Sequence, residues 1–352
     1  MENFVKKITT LLGISALALG INTAVHADAD TVYLYTWTEY VPDGLLDDFT
    51  KETGIKVNVS SLESNETMYA KLKTLGDSAT YDVIAPSNYF VSKMAKEGML
   101  QPLDHSKLPV IKDLDPNMLD KPYDPGNKYS LPQLLGAPEI AFNTDTYKAE
   151  QFTSWADLWK PEYKGKVQLL DDAREVFNIA LLKLGEDPNT KDPAIIKKAY
   201  EELLKLRPNV LAFNSDNPAN SFIAGEVELG QLWNGSIRIA KKENAPINAV
   251  YPKEGPVLWV DTLAIPKTSK NPDAAHKLIN YLLSPKVAAR LATEIGYPTT
   301  NLKAKELLPK EITEDPSIYP PAGVLKNSYW QDDVGDAIQY YENYYQQLKA
   351  AE

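Results

Sequence analysis

Hydrophobic positions between residues 31 and 97 alternate between two periods, and that switching predicts strands interleaved with helices. Thr31-Val32-Tyr33-Leu34-Tyr35-Thr36-Trp37 reads as a buried strand. A helix is predicted over residues 42–53, with Pro42 at its start and Gly54 at its end. Residues 55–60 alternate as a second strand and residues 81–85 form a third, with helical patterns at 66–75 and 90–97. This order predicts an α/β fold whose largely parallel sheet is covered on both faces.

The middle of the chain repeats the pattern as a separate unit. Helices are predicted at 155–159, 174–184, 193–206 and 237–243, and strands at 167–170, 227–233 and 248–250. Two apolar segments, 138–143 and 257–266, bracket this unit and lack the composition of a flexible linker. They read as strands passing between lobes, so the chain leaves one lobe, builds a second and returns. The expected division is residues 28–139 and 260–305 for lobe one, and 140–259 and 306–352 for lobe two. Two lobes joined by extended strands make a hinge with a cleft between them. The tyrosines of residues 340–345 have helical spacing and are expected to cover a lobe surface.

The first residues change the picture of where the protein works. Lys6 and Lys7 precede an apolar stretch over residues 8–25, and Val25-His26-Ala27 offers a cleavage site. Residues 1–27 therefore read as a secretory signal peptide removed after Ala27. The other reading, an uncleaved anchor, fits less well because the stretch is short and carries Thr9, Thr10 and Ser15. A periplasmic protein not itself inserted in a membrane is the expectation. The chain has no cysteine, which excludes disulfides, a lipid-modified cysteine and a thiol nucleophile. Three histidines leave little for a zinc site, so no metal or cofactor is expected. The formal net charge is -11, and losing residues 1–27 makes it more negative by one. Such a balance disfavours nucleic acid and anionic membranes and favours a cationic ligand.

Aromatic residues cluster at the ends of predicted strands, where open α/β sheets bind ligands. Trp37 and Tyr40 follow the first strand, Tyr89 follows Pro86-Ser87, and Trp233 precedes Asn234-Gly235. Trp259 and Asp261 share the second crossing segment, and Tyr297 lies in a Gly-Tyr-Pro turn. Asp171-Asp172-Ala173-Arg174-Glu175 is the main acidic constellation. It has the form of a helix cap, which explains one aspartate and the glutamate but not the second aspartate. One aspartate is expected to cap and the other to face the cleft. The pair Asp172 and Glu175 also suits the acid and base of a glycosidase. No nucleophile elbow, phosphate-binding glycine loop or H-E-x-x-H motif is present, and His105 and His276 read as ordinary surface or packing residues.

Taken together, the motifs Trp37-Thr38-Glu39-Tyr40, Pro86-Ser87-Asn88-Tyr89, residues 171–177, residues 214–220, Trp233-Asn234-Gly235-Ser236, Trp259-Val260-Asp261, Gly296-Tyr297-Pro298 and Trp330-Gln331 resemble, in this order, the spermidine/putrescine-binding proteins of bacterial ABC importers. The resemblance implies a two-lobed periplasmic-binding fold of type II character. It implies an aromatic box from Trp37, Tyr40, Trp233, Trp259 and Tyr297 around the polyamine methylenes. It implies Asp172, Glu175 and Asp261 on the ammonium groups, with Glu39 in the same motif. Thr38, Ser87, Tyr89, Ser215 and Gln331 would complete the hydrogen bonding. Pro132-Gln133-Leu134-Leu135 departs from the aromatic segment expected at the cleft rim. The implied partners are spermidine or putrescine and ABC permease subunits with a cytoplasmic ATPase, with spermidine favoured. Two other readings stand beside this one: a binding protein of the same fold for another cation or a sugar, and a secreted glycosidase.

Overall fold

In the computed structural model, residues 31–62 and 64–351 are described, so the leader expected over residues 1–27 lies outside the described residues. In chain order the strands are β1 (Thr31–Trp37), β2 (Lys56–Leu62), β3 (Val83–Ile84), β4 (Ser130–Gly136), β5 (Pro138–Asn143) and β6 (Val167–Leu169). They continue as β7 (Val210–Phe213), β8 (Leu229–Trp233), β9 (Ile247–Val250), β10 (Val257–Ala264) and β11 (Tyr329–Trp330). One sheet has the order β11-β10-β3-β1-β2 with β4 also on β10, and the other has the order β7-β6-β8-β5-β9.

Both sheets are mixed rather than largely parallel. β1, β2 and β3 run parallel, whereas β10 runs against β3 and β4. In the second sheet β6, β7 and β8 are parallel and β5 runs against β8 and β9. The physical reason lies in the connections. A chain arriving from the other sheet enters where the parallel strands end, so its first strand must point back along them. β5 accordingly opens at Pro138 opposite Trp233, the last residue of β8. The segments expected to cross between lobes are strands, but each belongs to one sheet. The change of sheet occurs at Ala137 and over residues 251–256.

Each sheet is covered on both faces, as the alternating pattern requires. Val32 and Leu34 of β1 pack with Leu278 and Leu291 of helices Pro272–Leu283 and Pro285–Ile295. Tyr35, on the other face, packs with Met68 and Phe90 of helices Asn65–Leu75 and Asn88–Lys96. The second sheet buries Leu169 against Val176, Leu203 and Tyr341, while Leu232 meets Phe222 and Ile237 on the opposite face. Tyr341 and Tyr345 of helix Ile338–Ala350 are core residues of this unit, and only Tyr340 has the surface position expected of the group. Ala304, Leu308, Ile312 and Ile318 pack with Ala288 and Ala292 of helix Pro285–Ile295. We therefore propose the lobe division 31–137 with 257–330 and 138–256 with 331–351, which moves the expected bounds at 139/140, 259/260 and 305/306 so that each strand stays in its own sheet and residues 306–318 travel with lobe one.

Local chemistry decides where the elements begin. Helix Leu45–Thr53 starts three residues later than its pattern predicts, because Gly44 sits at φ 74°, a left-handed backbone that no helix can include. Gly136 has a different role. It lies opposite Trp259 in the β4–β10 ladder, and a Cβ there would fall 1.9 Å from the indole Cζ2. Only glycine leaves room for that ring at the crossing point. Gly136→Ala should push the indole aside and lower stability by about 1–3 kcal/mol, as overpacking does. Chemical denaturation of the purified variant beside the parent protein measures this.

Candidate functional site

The loops after the parallel strands of both sheets converge on one cleft of about 630 Å³, counted with its space open to solvent. All fourteen residues expected at the site line it: Trp37, Thr38, Glu39, Tyr40, Ser87, Tyr89, Asp172, Glu175, Ser215, Trp233, Trp259, Asp261, Tyr297 and Gln331. The first sheet contributes the turn after β1, the residues after β3 and two residues of β10. The second contributes the ends of β6, β7 and β8.

The aromatic wall is held as a chain of tilted rings. Centroids lie 6.5 Å apart for Trp37 and Tyr40, 5.6 Å for Tyr40 and Tyr297, and 5.5 Å for Tyr297 and Trp259. Trp37 Nε1 donates to the Ala85 carbonyl at 3.1 Å, which fixes the indole against β3. Trp233 comes from the second sheet yet packs against the core of the first. Rings placed this way present faces that attract cations and cover methylene groups.

The carboxylates are buried with neutral partners. Asp261 is 2% exposed and accepts from Tyr40 Oη and Ser87 Oγ, both at 2.5 Å. Burial pushes its carboxyl up to about 7, and the two hydroxyl donors oppose that rise. Asn65 holds Ser87 in place by donating to Ser87 Oγ at 2.9 Å and accepting from the Ser87 N–H at 2.9 Å. Glu175 is also 2% exposed. Its Oε1 accepts from Trp233 Nε1 at 3.2 Å, and its Oε2 has no protein partner. Burial first, and then the neighbouring Asp172, push it up to about 8. Burial likewise raises Asp172 above the ordinary carboxylate range. Glu39 is pushed up to about 7, by burial and then by Asp216.

Asp171 and Asp172 divide their roles differently from the expectation. Asp172 accepts from the Glu175 N–H at 3.0 Å, capping helix Ala173–Leu184, and the same residue lines the cleft. Asp171 points to the C-terminal helix, where it accepts from Tyr345 Oη at 2.6 Å and Lys349 Nζ at 2.9 Å. Cap and cleft residue are therefore one aspartate, because a helix start aimed into the cleft does both. Gln331 is anchored by three bonds. Its Oε1 accepts from Asn178 Nδ2 at 2.8 Å, its carbonyl accepts from Asn88 Nδ2 at 2.6 Å, and its N–H donates to Leu258 O at 2.8 Å.

Three lining residues were not singled out by their sequence: Leu62, Asn65 and Asp216. Asp216 stands beside Ser215 in the 214–220 motif, which was the available signal. Asn65 follows the Ser64 cap of its helix and reads as part of that cap. The segment 132–135, expected at the rim, lies within β4, with Gln133 and Leu134 buried, and does not line the cleft. His276 is a packing residue: its Nε2 accepts from the Asp104 N–H at 2.9 Å. Among the described residues, no lysine, arginine or histidine lines the cavity, against five carboxylates: Glu39, Asp172, Glu175, Asp216 and Asp261. That imbalance is a request for a cation.

The chain is 80% identical, over 93% of its length and 91% of the relative's, to spermidine/putrescine-binding periplasmic protein 1 of Haemophilus influenzae. It is 58% identical to the Escherichia coli spermidine/putrescine-binding periplasmic protein, over 97% of each chain. The solved spermidine/putrescine ABC transporter substrate-binding protein of Streptococcus pneumoniae superposes with a TM-score of 0.77 at 38% identity, covering 92% of this chain and 99% of its own. These relatives overturn the two other readings of the sequence, a same-fold receptor for a different cation or a sugar and a glycosidase built on Asp172 and Glu175, since each is a polyamine-binding protein by name. The model of the bacterial extracellular solute-binding proteins matches residues 44–320. With that match and these relatives, the chain belongs to the bacterial extracellular solute-binding protein family.

Proposed function

We propose that the protein captures a protonated polyamine, spermidine or putrescine, outside the cytoplasm and passes it unchanged to an ABC permease driven by a cytoplasmic ATPase. The observation that carries this reading is the cleft itself, with five carboxylates, an aromatic wall and, among the described residues, no basic residue. Protonated amines need acceptors, and each charge-assisted bond contributes about 1.5–3 kcal/mol net. Ring faces add about 0.5–2 kcal/mol per cation, and each buried methylene about 0.8 kcal/mol. Ordering the ligand and closing the lobes offset much of that sum. Export through a cleaved leader into the periplasm fits the relatives' names and is part of the same proposal. No helix among the described residues is long and apolar enough to cross a membrane.

Calorimetric titration with spermidine, putrescine and spermine tests the proposal, and heat with no binding isotherm for all three would end it. Spermidine should bind about ten- to hundredfold more tightly than putrescine, because a third ammonium finds another carboxylate. The gap should narrow at high salt if exposed charge contributes to it. Equal affinities would leave the polyamine class and remove spermidine as the preferred ligand.

Asp261→Asn keeps the side-chain shape and removes one charge from a fully enclosed position. It should weaken polyamine binding at least tenfold, about 1.4 kcal/mol. Its unfolding midpoint should stay near that of the parent, since relief of a buried charge offsets the altered bonds to Tyr40 and Ser87. Normal binding with a much lower midpoint would make Asp261 structural instead.

Proton linkage gives an independent check. Asp261 and Glu175 hold protons up to about 7 and about 8, whereas unfolded carboxyls release theirs near 4. The folded protein therefore binds more protons than the unfolded chain between these values, and its stability falls as pH rises through them. A bound ammonium favours the ionised carboxylates, so binding expels protons and tightens over the same interval. The rise in melting temperature produced by spermidine should accordingly be larger at pH 8 than at pH 5.5. A thermal-shift series across that range reads it directly, and a reversed trend would contradict the charge assignment.

A further inference from the structure

We propose that Asp216 is a further ligand-binding residue, which shares one end ammonium of the bound polyamine with Glu39 across the mouth of the cleft. The inference rests on the polyamine reading above. Glu39 stands in the turn after β1 of the first sheet, and Asp216 in the loop between β7 and helix Pro218–Ile223 of the second. Both line the same cavity.

The loop carrying Asp216 is braced on either side of it. The Asn214 N–H donates to Leu169 O at 2.9 Å, Asn214 Nδ2 donates to Asn217 O at 3.2 Å, and the Asn217 N–H donates back to Asn214 Oδ1 at 3.3 Å. Ser215 and Asp216 are the two residues left between these braces. Asp216 itself accepts one bond, from Asn217 Nδ2 at 3.3 Å, and is not the cap of the helix that follows, a position held by Asn217. Among the described residues, no lysine, arginine or histidine lines the cavity to neutralise either carboxylate.

A second observation points to a ligand in this space. Glu175, 2% exposed, lines the same cavity with its Oε2 unpartnered, and the buried Ser215 Oγ beside Asp216 has no partner either. Five carboxylates exceed the three ammonium groups of spermidine, so two carboxylates can share one ammonium. Asp172 and Glu175 adjoin each other at one helix start, and Asp261 is held by Tyr40 and Ser87. Glu39 and Asp216 remain as the pair contributed by opposite sheets. The raised Glu39 carboxyl, due to burial and then to Asp216, agrees with that proximity. An ammonium held there contacts both lobes at once, so this pair couples ligand charge to closure.

The test is a titration of the parent protein, Asp216→Asn, Glu39→Gln and the double variant with spermidine, together with unfolding of each without ligand. Asp216→Asn should weaken spermidine binding about five- to twentyfold with an unchanged unfolding midpoint, as expected for one lost charge-assisted contact. Asp216→Glu, which keeps the charge, should recover most of that loss. The double variant should lose less than the product of the single losses, because both groups serve one ammonium. Parent-like affinity for Asp216→Asn, or losses that multiply, would overturn the shared contact while leaving the polyamine function intact. A parent protein that binds no polyamine would overturn both.

Discussion

Negative charge buried in the cleft is the constraint on which the rest of the site depends. Removing a carboxylate from water costs several kcal/mol unless it is paired and hydrogen-bonded. Asp261 and Glu175 are nonetheless enclosed, and the groups supplied to them are hydroxyls and an indole N–H rather than cations. Neutral donors fix the geometry and lessen the penalty without cancelling it. A lysine or arginine in the wall would cancel it permanently, and the cleft would then have no use for a diffusible cation. Under the proposed function the instability of the array is the source of affinity for a cation, and the raised carboxyls of Glu39, Glu175 and Asp261 are the signature of that instability.

Such an array requires carboxylates from two independent supports, and the sheet topology provides them. Because β5 runs against β8 and β10 against β3, the chain changes sheets at the ends of the parallel strands. Residues of both sheets line one cavity there, with Glu39 and Asp261 from the first and Asp172, Glu175 and Asp216 from the second. Trp233 reaches from the second sheet into the first core, so apolar contact and charge bridge the same gap. Under the proposed function, two forces acting at one place favour closure around a cation.

What the sequence made legible follows from how local each determinant is. Strand Thr31–Trp37 and helix Pro193–Leu206 have the predicted bounds because their periodicity and flanking residues are sufficient. The start of the helix at Leu45 depended on the backbone angle of Gly44, which residue type alone does not dictate. Strand direction in the mixed sheets depended on where distant segments cross, so the parallel expectation failed for β5 and β10. Among the site residues, Asn65 and Asp216 escaped notice because a polar side chain near a helix start has a sufficient local explanation. Asp171 and Asp172 show the same ambiguity from the other side. The sequence required two roles for them, and only the direction of the helix assigned both cap and cleft to Asp172.

Rings and carboxylates divide recognition between them. The aromatic chain from Trp37 to Trp259 is a row of tilted rings, which under the proposed function covers methylenes without fixing the spacing of charges along a flexible amine. The carboxylates are discrete and individually anchored: Asp261 by two hydroxyls, Asp172 by the backbone it caps, Glu175 by an indole. Under the proposed function, their fixed positions act as a ruler for the distance between ammonium groups. A diamine engages part of that ruler and leaves at least one buried carboxyl protonated or uncompensated, whereas a longer amine neutralises more of it. On that proposal, discrimination by chain length resides in which charges remain unpaired rather than in the size of the cavity, since an unpaired buried group costs more than an extra contact gains.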